Sequence, residues 1–457
     1  MKNRTTLSFV FLTVLTLVSC TRAPEPGSQA VAEPPAAKPT TGAAPRSPGG
    51  PDPCAIVLAP HRGEGRTDQE IARLQEELGR APDSGPLLER LGWLFVRKAR
   101  ESFDPGFYRL AEQCALCLDS RRPDSLEAML LRGHVLQNLH RFKEAEPLAR
   151  ALVARRGLAF DHGLLGDVLM EQGRLREAAE AYQKMMDLKP DPHAYARAAH
   201  LRWLKGDLPG ALEAMQMAAA AASPHDPESA AWSHARLAFY QFQSGATTEV
   251  EQACAAALEF QKDYPPALLL RGRLRLAADD AGDAVEPLQR AAQLNPLPEY
   301  QWTLAEALRE ADRAVEAQAV EARLRQSGAA DDARTAAVFF ATRGEAVEAA
   351  LRLTEEELRV RSDVFTHDAR AWALAAAGRF TEAQPHIDQA LAEGTADARL
   401  FFHATVIAAQ TGQREQARRW FDRATDLMHL LLPSEREQLL RAATVLEDDA
   451  EVTAASR

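Results

Sequence analysis

Five cysteines, twelve histidines and a few acidic or glycine-bearing stretches are the residues here whose types and spacing could do chemistry. Cys114 and Cys117 stand in Cys-Ala-Leu-Cys within a helical pattern, which puts both thiols on one face at i, i+3. An oxidising compartment would permit a Cys114–Cys117 disulfide, but a bridge at that spacing strains a regular helix. Leu118 follows where covalent haem attachment needs histidine, and no further Cys or His pair follows at zinc-finger spacing. Buried apolar thiols, that disulfide, and a redox or metal role all stay open. Cys54 and Cys254 have no evident partner.

The other constellations fail on geometry. His193 and His200 share a helical face without a nearby acidic or cysteine ligand, and no His-Glu-x-x-His occurs. Asp279-Asp280-Ala281-Gly282-Asp283 opens like a calcium loop, but its twelfth position is Arg290, which would repel the ion. His367 and Asp368 are adjacent, so on a helix they point about 100° apart and form no dyad. Gly63-Glu64-Gly65 lacks a third glycine and a preceding strand, and nucleophile-elbow, Ser-x-x-Lys and phosphate-loop motifs are missing. The expectation is a protein with no cofactor and no metal that is not an enzyme.

The elements that position these residues begin with a targeting segment. Lys2 and Arg4 precede an apolar run, Leu7 to Val18, that is shorter than the roughly 20 residues of a membrane span. The run ends in Leu17-Val18-Ser19-Cys20, which resembles the bacterial lipobox. The resemblance implies removal of residues 1–19 and lipidation of Cys20. Thr21 after the cysteine favours the outer membrane, facing the periplasm. With Lys2 and Arg4 gone from 54 basic residues, 52 stand against 65 acidic ones, a net −13. That balance argues against nucleic acid and against electrostatic adsorption to a membrane. Residues 20–65 are rich in Pro, Ala, Gly and Ser and read as a disordered tether.

The rest of the chain repeats itself. In LLGDVLMEQGRLREAAEAYQKMMDLKPDP, Gly166, Gly173, Ala178, Tyr182 and Pro190 follow one another at offsets of 7, 12, 16 and 24. Small residues at the Gly166 and Ala178 positions let two antiparallel helices approach, a turn interrupts the first helix, and the proline ends the second. The first small position recurs at Gly133, Gly166, Ala199, Ala238, Gly272, Ala305, Ala337, Ala371 and Thr405. The second recurs at Ala145, Ala178, Ala211, Glu249, Ala284, Ala317, Ala349, Ala383 and Ala417.

These offsets are those of the tetratricopeptide repeat, which the chain resembles over about residues 84–430. YPPALLLRGRLRLA, LNPLPEYQWTLAEALRE and THDARAWALAAAGRFTEA are similar to a widespread bacterial group of such proteins with no settled activity. The resemblance implies an all-α fold, a right-handed superhelical solenoid of antiparallel helix-turn-helix hairpins. About nine repeats fill 126–432. Residues 66–125 form an N-terminal helical cap and an atypical hairpin around Gly92, and 433–457 a capping helix and frayed tail.

In that superhelix the concave surface is lined by first-helix positions 2, 5, 9, 12 and 13. Carried over, they give His200, Trp203, Trp232, Phe239, Phe242, Trp302, Arg309, Trp372 and Phe402 as a candidate partner-binding face. Aromatic residues are only 6% of the chain, so their recurrence there is informative, and aromatics and Arg are what interface hot spots use. The expectation is a lipid-anchored envelope scaffold that holds other envelope proteins or extended peptides in an open groove. An enclosed polar pocket with convergent titratable groups would instead mark an enzyme or small-molecule receptor using the groove, with His200 or His367 in a catalytic or ligand role. A spacer without specific ligands is the third reading.

Overall fold

The computed structural model describes residues 52–443. The signal segment, Cys20, the tether to residue 51 and the tail from residue 444 lie outside the described residues. Among those described there is no strand and no helix long and apolar enough to cross a membrane. Two N-terminal helices, α1 (Pro53–Val57) and α2 (Arg66–Arg80), lead into ten hairpins. The hairpins are α3 (Gly85–Ser102) with α4 (Gly106–Arg121), α5 (Leu126–Asn138) with α6 (Phe142–Arg155), and α7 (Ala159–Glu171) with α8 (Leu175–Leu188). They continue with α9 (Pro192–Leu204) and α10 (Leu208–Ala220), α11 (Pro227–Gln243) and α12 (Thr247–Phe260), and α13 (Pro265–Ala277) and α14 (Ala281–Leu294). The last four are α15 (Pro298–Glu310) with α16 (Ala314–Asp331), α17 (Ala333–Arg343) with α18 (Val347–Val360), α19 (Val364–Ala376) with α20 (Phe380–Leu391), and α21 (Ala398–Gln410) with α22 (Arg414–Asp426). A 3-10 turn at Met428–Leu430 and a helical stretch at 433–443 complete the description.

The helices start where backbone donors find partners. Asp191, Asp207, Asp280 and Asp332 each accept a hydrogen bond from a first-turn amide, and Pro192, Pro227, Pro265 and Pro298 occupy first-turn positions that need no donor. Within hairpins, packing follows the small positions. The Tyr182 ring lies so close to Gly166 that a methyl group there would collide with it. All nine first-helix small positions are buried, and so are seven of the nine in second helices. In α12 and α18 the buried residue is Val250 or Ala350, one place after the expected Glu249 and Ala349. The first of these restores the regular offset of 12 from Ala238, and the second stands 13 from Ala337.

One boundary and one pairing differ from expectation. Residues 52–65 belong to the folded body: Val57 is fully buried, and the Gln75 side chain donates to the carbonyls of Val57 and Ala59 at 2.8 Å. The disulfide joins Cys117 to Cys54, which tacks α1 onto α4 across 63 residues of sequence. Cys114 points into the core as a free thiol, with burial pushing its pKa far up, so the Cys114–Cys117 pairing is not formed. Two neighbours at i, i+3 both follow the inner face of α4, and only the one opposite α1 meets a second thiol.

The array also closes on itself. The Ser362 amide donates to the Glu171 carbonyl at 3.1 Å, Thr395 Oγ1 donates to the Leu204 carbonyl at 2.6 Å, and Lys205 pairs with Glu393. Gly173 has φ +74° and sits against the Ser362 carbonyl oxygen, where a methyl group would collide with backbone. At the N-terminal side Arg100 pairs with Glu228, and the Phe103 ring lies 6.0 Å from that of Tyr264. The segment after α22 crosses the inner ends of α11, α13 and α15. His429 donates to the Phe242 carbonyl at 2.8 Å, Arg273 to the Leu430 carbonyl at 2.6 Å, and Ser434 Oγ to Glu306 at 2.7 Å.

Gly173→Ala is expected to lower stability by about 1–3 kcal/mol in urea unfolding. Gly412→Ala serves as its control, because Gly412 has φ +76° with open space around it. A larger loss at Gly173 measures the close approach of the two segments, and equal losses would show that the approach contributes nothing.

Candidate functional site

The first-helix positions that the repeat register assigns to the inner face do come together. His200 and Trp203 of α9, Phe239 of α11 and Trp302 of α15 line one partly enclosed cavity of about 300 Å³. What the register did not foresee is that closure turns this face into an interior. Trp302 is 1% exposed, Phe402 0%, Phe242 2% and Trp203 3%.

Each ring has a structural partner. Trp203 stacks on Phe365 at 5.6 Å, and Phe242 meets the His429 ring edge-on. Trp302 Nε1 donates to Glu306 at 2.9 Å. Trp372 stacks on His403 at 4.1 Å and donates from Nε1 to Thr342 at 2.9 Å, with Phe402 packed against both rings. Arg309 is bound to Glu321, with Nε at 3.0 Å and Nη2 at 2.8 Å. Burial opposes the charged form of that glutamate, yet Arg309, Arg343 and Arg325 together hold its pKa below the usual range. Trp232 alone of the expected set stands open to solvent. The expected open groove is therefore absent over these hairpins. Side chains as large as indole, set on an inward-curving face, pack against the opposite segment rather than leave a channel.

Polar groups share the cavity with the rings. Arg334 pairs with Asp363 at 3.0 Å, Arg399 with Glu435 at 2.6 Å, and His403 Nδ1 with Asp368 at 2.8 Å. Arg273 donates to the Leu430 carbonyl and reaches Glu299 only at 3.4 Å, and burial lowers its pKa. Burial, helped by the nearby Arg236 charge, pushes His200 down to about 3, so its ring is neutral. His134 is pushed down to about 3 by burial as well. An adjoining cavity of about 370 Å³ shares His200, Arg334 and Phe365 and adds His367. Its histidine contacts His386, Nδ1 to Nδ1, at 3.2 Å, and does not pair with Asp368. Among the described residues no group of three His, Cys, Asp or Glu side chains is placed to hold a metal ion.

A second inner-face cluster was missed. Trp93 of α3, His134 of α5 and Phe160 of α7 form a half-buried aromatic ladder with ring centroids 5.3–6.1 Å apart. Phe160 and His134 occupy positions 2 and 9 of the first two regular repeats, so the same register would have found them. Trp93 belongs to the atypical hairpin, where no register was available.

A sequence profile described as tetratricopeptide repeat matches residues 130–191 and 164–227. Residues 130–227 carry tetratricopeptide repeats. Helical hairpins continue on both sides of the matched span. No curated protein matches the sequence. Among solved structures, the Cut9–Hcn1 hetero-tetramer of the APC/C is similar at 15% identity over 80% of this chain, with a TM-score of 0.44; the chain spans 62% of that protein's length. A human IFIT1 dimer with m7Gppp-AAAA matches at 15% identity over 72% of this chain and 78% of its own, with a TM-score of 0.47. Yeast Tom70 matches at 14% identity over 85% and 97%, with a TM-score of 0.35.

Trp372→Ala is expected to cost about 3–5 kcal/mol of stability in chemical unfolding, whereas exposed Trp232→Ala stays within about 0.5 kcal/mol. The buried neutral histidines also set a pH dependence. Their folded pKa of about 3 lies below the ordinary 6.5, so their contribution is present at neutral pH. It is lost as pH falls from about 6.5 toward 3, because the unfolded chain takes up the protons. His200→Gln should therefore shrink the shift in urea midpoint between pH 7 and pH 4; an unchanged shift would refute the assignment.

Proposed function

We propose that this protein is a non-enzymatic scaffold of the bacterial envelope, held to the membrane by a lipid on Cys20, that binds another protein through its first three hairpins. The observation that carries the reading is the Trp93–His134–Phe160 ladder. His134 and Phe160 lie on the inner-face register, Trp93 packs against both, and the three rings keep part of their surface open where Trp203, Trp302 and Phe402 are buried. Half-buried aromatics held rigidly by their own helices offer large contact area at little entropic cost. The tetratricopeptide fold supports protein or peptide partners in general. Envelope residence is supported by Leu17-Val18-Ser19-Cys20 and by the Cys54–Cys117 bridge, since disulfides persist in oxidising compartments. An outer-membrane position facing the periplasm, and a role in assembling an envelope machine, belong to the same proposal.

The test is crosslinking and affinity capture from envelope, comparing the natural protein with Trp93→Ala/Phe160→Ala. The double variant should keep its helical circular dichroism and lose partner recovery by about tenfold or more, as for hot-spot residues. Cys20→Ser should move the protein from the membrane to the soluble fraction. Full recovery of partners by the double variant would overturn the docking surface, and a membrane-bound Cys20→Ser protein would overturn the anchor.

A further inference from the structure

Leu430-Leu431-Leu432-Pro433-Ser434-Glu435 places three large aliphatic residues directly before a proline, a hydroxyl and a carboxylate that open the helical stretch at 433–443. All three leucines are buried, and the Leu432 amide donates to Glu435 Oε2 at 2.9 Å. The segment meets the first helices of five hairpins, α11, α13, α15, α17 and α21, and it meets them at positions of the inner-face register. Arg273 and Glu306 directly follow the small residues Gly272 and Ala305, which puts both at position 9; Phe242, Thr342 and Arg399 stand at positions 12, 13 and 2.

The contacts are those of a groove with a peptide. The Arg273 guanidinium donates to the Leu430 carbonyl at 2.6 Å, and Glu306 accepts from the Ser434 amide at 3.1 Å and from its hydroxyl at 2.7 Å. His429 and Gln438 reach in turn to the Phe242 and Thr342 carbonyls, at 2.8 and 2.9 Å. Arg399 pairs with Glu435 at 2.6 Å. Bonds to main-chain groups follow the path of a segment more than its sequence, so another segment on the same path can form them. Two features set residues 428–439 apart from the core around them. Each hairpin from α11 to α22 packs on its neighbours and is complete without them. Their fit is also loose: Leu430 and Leu432 share the cavity of about 300 Å³ with Trp203, Phe239 and Trp302, a space that close-packed core residues do not leave between them.

We propose that residues 428–439 are an intramolecular ligand of this inner face, displaced by a partner protein that presents the same chemistry, three consecutive large aliphatic residues ahead of a hydroxyl and a carboxylate that open a helix. The aliphatic run takes the place of Leu430 to Leu432, and the carboxylate takes that of Glu435 on Arg399. The contact is autoinhibitory: the face accepts a partner only while its own segment is out, and the apparent affinity falls by the fraction of time that it is open. This face is separate from the ladder at Trp93, His134 and Phe160, so either reading can fail without the other.

The test begins with hydrogen exchange on the full natural chain. Amides of 428–439 should exchange about tenfold faster or more than those of α15 and α21, because the segment opens without them. Equal protection would overturn the proposal. A site-specific protease sequence inserted between Asp426 and Leu427 then lets the folded chain be cut, with a labelled synthetic peptide of residues 427–443 as the probe. The cut protein should take up the peptide with its helical circular dichroism unchanged. The uncut protein should bind it about a hundredfold more weakly, since a tethered competitor acts at millimolar effective concentration. A peptide carrying Leu430→Ser, Leu431→Ser, Leu432→Ser and Glu435→Gln should not be taken up. Loss of helicity as the segment leaves would show it to be core. That result, no uptake by the cut protein, or equal uptake of the substituted peptide would each overturn the proposal.

Discussion

The hydrogen bond from the Ser362 amide to the Glu171 carbonyl marks the contact on which the rest of the structure turns. Stacked helical hairpins need only their neighbours, and nothing in the stacking itself brings distant repeats together. Here segments nearly two hundred residues apart come within backbone distance, which is possible because Gly173 and Gly206 present no side chain to Ser362 and Gly394. Once that approach is made, the inner rings of the later hairpins face protein more than solvent. Trp203 then stacks on Phe365 and Trp372 on His403, as core residues do.

An inner face that becomes an interior must settle its charges. Most are settled by pairing within and across repeats: Arg334 with Asp363, Arg399 with Glu435, and Glu321 with three arginines. Removing one member of such a pair leaves a buried charge alone, which costs more than the pair itself contributes. This is how the array tolerates so many arginines on a face that water does not reach freely.

The repeat architecture was legible because its determinant is local. A small residue is needed wherever two helices cross, and that need appears as Gly or Ala at fixed offsets in the sequence. The inner-face register was legible for the same reason, and His200, Trp203, Phe239 and Trp302 do share one cavity. Closure was not legible. It depends on the rise and rotation summed over several hairpins, to which each repeat contributes a little and no short motif contributes enough. Arg309 was misread for a related reason: Glu321 is twelve residues away on the partner helix, a spacing without a local rule. The Cys54–Cys117 bridge was hidden because Cys54 sits in a stretch whose proline-rich composition reads as unstructured.

The segment from Met428 to Ser434 has a consequence for how the molecule is made. Its His429 and Leu430 contact Phe242 and Arg273, which leave the ribosome far earlier. Each hairpin can form as soon as it emerges, since its contacts are short in sequence. The inner wall, by contrast, is completed only by the last part of the chain to be synthesised. During translation the tryptophans that end up enclosed are open to water and to other chains, so the growing protein passes through a stage at which it is far stickier than the finished one.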